Sequence, residues 1–297
     1  MRVGVSGATG FIGRHLCARL RARGDEVSQL VRSREKVRGK IAWDAGNGFL
    51  DLRSLEGIDA VVHLGGESIA ARRWSTQQRR EILDSRVSGT TFLSEQLTHL
   101  ESPPDVLVSA SAIGYYGDRG TEVLDESSVR GRGFLPDVCE AWEAATSKAG
   151  AAGIRVACIR TGLVLGRDGG VFAKQLPLFK LGLAGTLGSG TQFMSWISID
   201  DEVDAIIRIV DDRRIQGPVN LTSPAPVTNK VFTRTVANAL RRPAFMRIPK
   251  RVLEIGLGTD MATELLMASQ FVVPKVLQDA GFDFRHETLD AALADLL

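Results

Sequence analysis

The chain reads as an α/β protein, a parallel sheet wound with helices on both faces, with a smaller C-terminal region interleaved with it. Three observations predict this. Short apolar runs at 2–6, 26–31, 59–64, 105–111 and 155–160 alternate with helical stretches through the first half. A glycine turn joins the first strand to the first helix. After Gly166 the texture changes to glycine-punctuated segments and further amphipathic helices.

The opening turn carries the most chemistry. Val3-Gly4-Val5 runs into Ser6-Gly7-Ala8-Thr9-Gly10-Phe11-Ile12-Gly13, and the following helix places Ile12, Leu16 and Leu20 on one face. Gly24 ends that helix. Glycines at Gly7-x-x-Gly10-x-x-Gly13 let the backbone turn tightly and approach a pyrophosphate, while the helix N-terminus offers free N–H groups. The strand before and the helix and strand after supply the context this spacing needs, and make the fold Rossmann-type and doubly wound.

The remaining elements follow in order. A long helix over 76–100 has Ile82, Val87, Leu93 and Leu97 on its apolar face, and Pro103-Pro104 stops it. A helix over 136–150 carries Val138, Ala141, Trp142 and Ala145. Phe172 to Leu181 reads as a helix, and Gly182, Gly185, Gly188 and Gly190 as a tightly turned or mobile loop. Asp200-Asp201 is expected to cap a helix in which Val203, Ile206, Ile207 and Val210 recur at helical spacing. A strand at Val219 to Thr222, a helix capped by Thr228 and ending near Arg242-Pro243, and a helical tail from Phe245 complete the chain. The predicted division is 1–166 for the dinucleotide-binding part, with 195–223 returning to it, and 167–297 for the smaller substrate-side region.

Composition excludes several classes. Apolar residues at 44%, charged residues at 24% and a net charge of +2 are ordinary for a globular protein. Cys17, Cys139 and Cys158 have no metal-ligand spacing and fit a reducing compartment; no metal is expected. No leader peptide and no run of the roughly 18 apolar residues needed to span a bilayer are visible, so a cytoplasmic protein with no membrane partner is expected. The basic run Arg32, Arg34, Lys36, Arg38 and Lys40 lacks interleaved aromatics, which argues against nucleic acid.

Several further stretches carry a family resemblance: Val61-Val62-His63-Leu64-Gly65-Gly66, Ser109-Ala110-Ser111, Ser195-Trp196-Ile197-Ser198-Ile199-Asp200-Asp201 and Val219-Asn220-Leu221-Thr222-Ser223. With the opening turn they resemble the extended short-chain dehydrogenases/reductases, the fold of nucleoside-diphosphate-sugar epimerases and dehydratases. Ser109 to Gly117, Arg160 to Gly166 and Met261-Ala262-Thr263-Glu264-Leu265-Leu266 are similar, more narrowly, to an atypical epimerase-family branch that has its own small C-terminal domain and no settled substrate.

The cofactor reading follows from charge. An NAD-selective site places an acidic residue at the end of the second strand; this chain has Arg32, Ser33 and Arg34. A guanidinium pairs with a 2′-phosphate, so NADP(H) is expected, with Arg32 as the main contact; a solvated loop is the alternative. The expected cofactor-binding set is Gly7, Ala8, Thr9, Gly10, Phe11, Ile12, Gly13, Arg32, Ser33, Leu64, Gly65, Arg86, Arg160 and Thr161. For Arg86 a surface ion pair is an equally good account, and Asp44 is a further candidate near the adenine.

Catalysis departs from what the resemblance implies. The family works with a Ser and a Tyr-x-x-x-Lys pair, in which the lysine tunes the tyrosine as acid or base. Ser111 stands at the serine position, but four residues beyond Tyr115 and Tyr116 lie Arg119 and Gly120. On the helix where the pair belongs, the matching spacing is Cys139-x-x-x-Glu143. Candidates are therefore Ser111, Tyr115 and Tyr116, with Cys139 as a thiol acid/base or as inert packing. Trp74, Gln192, Met194 and Trp196 are candidate pocket residues or core. Two functions remain: an NADP(H)-dependent oxidoreductase or sugar-nucleotide epimerase-like enzyme acting on a carbonyl compound or sugar nucleotide, or a catalytically degenerate NADP(H)-binding regulatory protein, linked by the labels of some relatives to cell division. The two long helices are candidates for pairing into a homodimer.

Overall fold

The computed structural model describes residues 1–33, 35, 39–70 and 72–297. Arg34, Lys36 and Arg38 of the basic run lie outside the described residues.

The first half builds one sheet. Its strands are β1 (Arg2–Ser6), β2 (Glu26–Arg32), β3 (Lys40–Asp44), β4 (Phe49–Leu50), β5 (Ala60–His63), β6 (Val106–Ala112), then β8 (Arg155–Thr161) and β13 (Gly217–Leu221) after the short β7 (Val123–Leu124). They lie in the order β13-β8-β6-β5-β1-β2-β3-β4, and every neighbouring pair is parallel except β3–β4. The chain leaves β1 toward β2 and β3, then crosses back to β5 on the other side. That reversal opens a crevice at the carboxyl ends of β1 and β5, where open α/β sheets bind ligands.

Helices cover both faces, which is why the central strands are apolar almost without interruption. Alternation sends Val62 to one face and Val61 to the other. Val62 joins Val3, Val5 and Val108 beneath α1 (Phe11–Ala22) and α7 (Ile199–Asp211), whose Leu16, Leu20, Ile206 and Ile209 close that core. Val61 joins Leu30, Ile41 and Leu107, covered by Leu93 and Leu97 of α3 (Thr76–Leu97). The short α2 (Leu52–Leu55) adds Leu55 to this second core. The predicted Rossmann-type, doubly wound fold is borne out.

Local details differ from the sequence reading. β3 and β4 were not anticipated, because Lys40–Asp44 is a brief run beside a basic stretch and needs its sheet neighbours to become a strand. The helix expected over 136–150 divides into α4 (Phe134–Ala144) and α5 (Ser147–Ala151). The cap of α7 is Ser198, whose hydroxyl accepts from Asp201 N at 3.1 Å, and not Asp200-Asp201. Asp201 is buried and accepts from the backbone N–H groups of Arg285 and His286, tying the tail to α7. Thr228 does cap α8 (Asn229–Ala239), accepting from Val231 N.

The second half wraps the carboxyl end of the sheet. β9 (Leu163–Leu165) pairs with β12 (Trp196–Ser198), and β11 (Phe193–Met194) with β14 (Val227–Thr228). The glycine-rich stretch contains a strand, β10 (Gly185–Leu187), pairing with β15 (Met246–Ile248). A Cβ at Gly185 would lie 2.6 Å from the Met246 carbonyl oxygen, so that close pairing requires glycine. β16 (Phe271–Val272) pairs with β7. Helix α6 (Gly170–Lys180) packs with α8 and with α12 (Leu289–Leu296) around Trp196, Phe172 and Phe232. α9 (Lys250–Leu257), α10 (Thr259–Met261), a π-helical turn over Ala262–Met267 and α11 (Lys275–Asp279) fill the tail. Among the described residues no helix is long and apolar enough to cross a membrane, and no group of three or more His, Cys, Asp or Glu could hold a metal ion.

Candidate active site

The glycine turn sits at the crevice. Gly7 has φ +67°, and a Cβ there would lie 2.9 Å from the Leu64 carbonyl oxygen. The loop and the Leu64-Gly65 end of β5 are thus in backbone contact. A Cβ at Gly13 would overlap the Gly7 carbonyl oxygen, so glycine is what lets α1 pack on the turn. Gly10 precedes α1 in an extended conformation, with no side chain capping the helix and no acidic residue in its first turn. The first-turn N–H groups therefore face the crevice mouth with no intrahelical partner. Ala8 is buried in the core, Thr9 is exposed, Ile12 packs against the core, and the Phe11 ring packs on Gly166, Gly169 and Gly170.

Two features flank this turn. Arg32 ends β2 exposed and has no ion-pair partner among the described residues, while Ser33 N donates to the Trp43 carbonyl at 3.0 Å. Beneath the turn, Ser6 Oγ and His63 Nδ1 lie 2.6 Å apart. Burial pushes the His63 imidazole down to about 4, so it is neutral near pH 7. Sequence reasoning missed this pair, although both residues end strands that the fold makes neighbours.

A second cluster lies at the ends of β6 and β8. Ser111 Oγ donates to Glu143 Oε1 at 2.7 Å. Arg160 grips the same carboxylate with two bonds of 2.8 Å, from Nε and Nη2. Its Nη1 donates to the Tyr116 hydroxyl at 3.0 Å, and its guanidinium lies 3.5 Å from the centre of the Tyr115 ring. Thr161 Oγ1 donates to Glu202 Oε1 at 2.9 Å; burial pushes Glu202 up to about 8. Glu143 was visible in the sequence only as a charge standing where a lysine was expected.

A cavity of about 380 Å³ opens beside this cluster. Ala112, Ile113 and Gly114 after Ser111 form part of its wall, with Thr161-Gly162-Leu163 after β8. Cys139, Trp142, Met194 and Phe232 add to a mainly apolar lining, and Arg86 enters it from α3.

Residues 3–221 match the pattern of the NAD dependent epimerase/dehydratase family. The chain belongs to this family. The epimerase/dehydratase core is followed at 248–296 by a match to a domain of unknown function (DUF1731). An epimerase family protein of Mycobacterium leprae is 39% identical over 98% of this chain and 94% of its own. The crystal structure of the human epimerase family protein SDR39U1 with NADPH is 35% identical, covers 100% of this chain and 99% of its own, and superposes with a TM-score of 0.91. A nucleoside-diphosphate sugar epimerase structure from Corynebacterium glutamicum is 36% identical with a TM-score of 0.81, and this chain spans 58% of it.

Set in this epimerase/dehydratase frame, several expectations need correction. Tyr116 is not an available acid or base: it is fully buried, its hydroxyl donates to Asn220 Oδ1 at 2.8 Å, and burial raises it to about 12. Tyr115 is half-buried with its face against Arg160; like Ser111, it stands behind the cavity wall, not in it. Cys139 does line the cavity, but burial pushes its thiol up to about 12, which keeps it protonated. Trp196 is fully buried core, its Nε1 donating to the Ala225 carbonyl at 3.1 Å. Gln192 is a buried brace, its Nε2 donating to the Leu187 and Leu266 carbonyls. Trp74 packs edge-on against Phe134 at 5.1 Å and is not among the residues lining the cavity. Arg160 is tied into the Glu143 pair. Among the described residues Arg86 forms no ion pair, and it is buried.

Proposed function

We propose that this chain binds NADP(H) in the crevice above β1, β2 and β5 and oxidises or reduces a small hydroxyl or carbonyl compound held in the adjoining cavity. The observation that carries this reading is the uncapped, Cβ-free turn from Gly7 to Gly13 at the point where the strand order reverses. The residues fit the cofactor. The α1 N-terminus suits a pyrophosphate, and the exposed Arg32 suits a 2′-phosphate, to which an acidic residue at the same place would be repulsive. The NADPH in the human SDR39U1 structure supports the same assignment.

A bound nicotinamide supplies or accepts a hydride. The chain's own part is to hold the substrate oxygen. Ser111 commits its proton to Glu143, which leaves its oxygen lone pairs free to accept from a substrate hydroxyl. Arg160 fixes the Glu143 carboxylate through two bonds, so the serine is positioned by a pair the fold already holds rigid. The apolar wall excludes water around that oxygen.

A second reading is favoured by one observation: Ser111, Glu143, Arg160 and Tyr116 satisfy one another's hydrogen bonds, and no tyrosine–lysine pair stands beside them. In that reading the chain binds NADP(H) without turnover and reports its level to a partner. Titrating the protein with NADPH and NADH, then following NADPH oxidation with a panel of carbonyl compounds and nucleotide sugars, separates the two. Turnover that vanishes in Ser111→Ala supports the enzyme. Tight NADPH binding with no turnover supports the regulatory protein, and failure of NADPH to bind overturns both.

A further inference from the structure

Arg86 is the unusual group in the cavity wall. It is 91% buried by its 9% exposure, yet no carboxylate pairs with it among the described residues. Among the described residues its one hydrogen bond runs to the Ile82 carbonyl at 3.1 Å on its own helix. The guanidinium lies 4.9 Å from the Trp142 ring centre, and that ring is fixed by Nε1 donating to Thr90 Oγ1 at 3.0 Å. On its other side is Gly66, where a Cβ would lie 3.4 Å from Arg86 Cζ. Burial lowers the affinity of this guanidinium for its proton, and Cys139 and the carboxylate of Glu67, which is not in ion-pair contact, offset only part of that. A buried guanidinium without a carboxylate in contact is costly to hold, so its place in a cavity wall needs a use.

The rest of the lining sharpens what that use is. Among the described residues Arg86 is the only Lys or Arg in the wall, and Glu264 the only carboxylate. Glu264 is spoken for: it accepts from Phe134 N at 3.1 Å and Leu135 N at 2.8 Å, at the start of α4. Thr161 donates to Glu202, and Gln270 Nε2 donates to the Ile113 carbonyl at 2.9 Å. Among the described residues, the cavity thus presents one guanidinium with no carboxylate in ion-pair contact, in a mainly apolar chamber. A nucleotide diphosphate brings at least two negative charges, and a single cation in an apolar wall does not match it.

We infer that the cavity takes a monocarboxylate with an apolar body, its carboxylate paired with the Arg86 guanidinium that lies over Trp142. A planar carboxylate matches the guanidinium fork, and the hydrocarbon body fills the wall formed by Leu135, Val138, Leu163 and Phe232. This deepens the proposed function, resting on the cavity being the substrate side, and it moves Arg86 from a cofactor contact to a substrate contact.

The test uses octanoate, octanol and octylamine as probes, titrated calorimetrically into the full chain with and without NADPH. Octanoate is expected to bind more tightly than the alcohol or the amine. Arg86→Met, which keeps the packing on Trp142, is expected to weaken octanoate by roughly tenfold or more and Arg86→Lys by less, with the NADPH dissociation constant changed less than about twofold. The melting temperature of Arg86→Met is expected to equal or exceed that of the parent, because a buried unpaired charge is removed. Octanoate that fails to bind, alcohol or amine that binds as well, or an Arg86→Met variant that loses NADPH or unfolds, each overturns the inference. NADPH is titrated separately, so loss of the cofactor reading shows itself independently of the octanoate series.

Discussion

Ser111 and Glu143 meet at 2.7 Å, one from the end of β6 and one from α4, 32 residues apart in the chain. The same carboxylate holds Arg160: Glu143 Oε1 accepts from both the serine hydroxyl and Arg160 Nε, and Oε2 accepts from Arg160 Nη2. The position that the resemblance reserved for a lysine thus carries the opposite charge, and the compensating cation comes from β8.

Removing the two partners of that bond should have different consequences. Ser111→Ala loses one hydrogen bond and leaves the ion pair intact, so stability should fall by about 1 kcal/mol while any turnover falls by about a hundredfold or more. Glu143→Ala strands Arg160, whose side chain is only 4% exposed, and should cost about 3–5 kcal/mol. Denaturant unfolding of the two variants gives the order; a Ser111→Ala variant less stable than Glu143→Ala would refute this account of the cluster.

Arg32 decides between cofactors. Arg32→Ala should weaken NADPH by about tenfold to a hundredfold, the range of a charge-assisted contact, and leave NADH unchanged. Calorimetric titration with both dinucleotides checks it. Equal losses for both would place Arg32 on a part of the cofactor they share.

The turn should be intolerant of a methyl group, in a graded way. At Gly13 the added Cβ meets the Gly7 carbonyl oxygen, which is backbone and has little freedom to yield. At Gly10 the nearest atom is the same oxygen at 3.1 Å. Gly13→Ala should therefore lower both the melting temperature and NADPH affinity, and Gly10→Ala should do less. Paired thermal unfolding and titration of the two variants measure this ranking.

Glu202 gives the stability a pH dependence of known sign. Burial raises its carboxyl from an ordinary value near 4.5 to about 8, so the folded protein holds a proton there that the unfolded chain releases. The stability that this adds is complete below about pH 4.5 and is lost as pH rises through about 8. The loss is on the order of a few kcal/mol. Glu202→Gln imitates the neutral acid and should flatten the fall in melting temperature between pH 5 and 8. His63, pushed down to about 4 from 6.5, acts the other way: its contribution is lost as pH falls from about 6.5 toward 4. An unchanged slope in Glu202→Gln would contradict the buried, protonated carboxyl.

The fold was legible because its evidence is local. Val3-Gly4-Val5, the turn to Gly13 and the helix after it are contiguous, and backbone sterics alone decide what a glycine at positions 7, 10 and 13 permits. The same holds for Thr228, which caps the helix that follows it. Where a helix start depends on which polar residue the chain's later course demands, locality fails. Ser198 caps α7, and Asp201 accepts both from the Ser198 hydroxyl and from the tail near His286.

The arrangement around Ser111 was not legible, because it is made by strand order. Parallel pairing of β6 with β8 puts Ser111 beside Arg160 and brings α4 over both, and only then does Glu143 acquire its partners. Burial likewise removed Tyr116 and Cys139 from acid–base work and made Trp196 a core residue, since desolvation depends on neighbours far away in the chain. The sequence by itself determined the glycine turn, the missing tyrosine–lysine pair and the guanidinium at the end of β2, all properties of adjacent residues. Tertiary structure alone decided which carboxylate meets Ser111 and Arg160 and set Arg86 in an apolar wall with no carboxylate in ion-pair contact among the described residues. Charge pairing and desolvation are fixed by distance in space, which spacing along the chain does not encode.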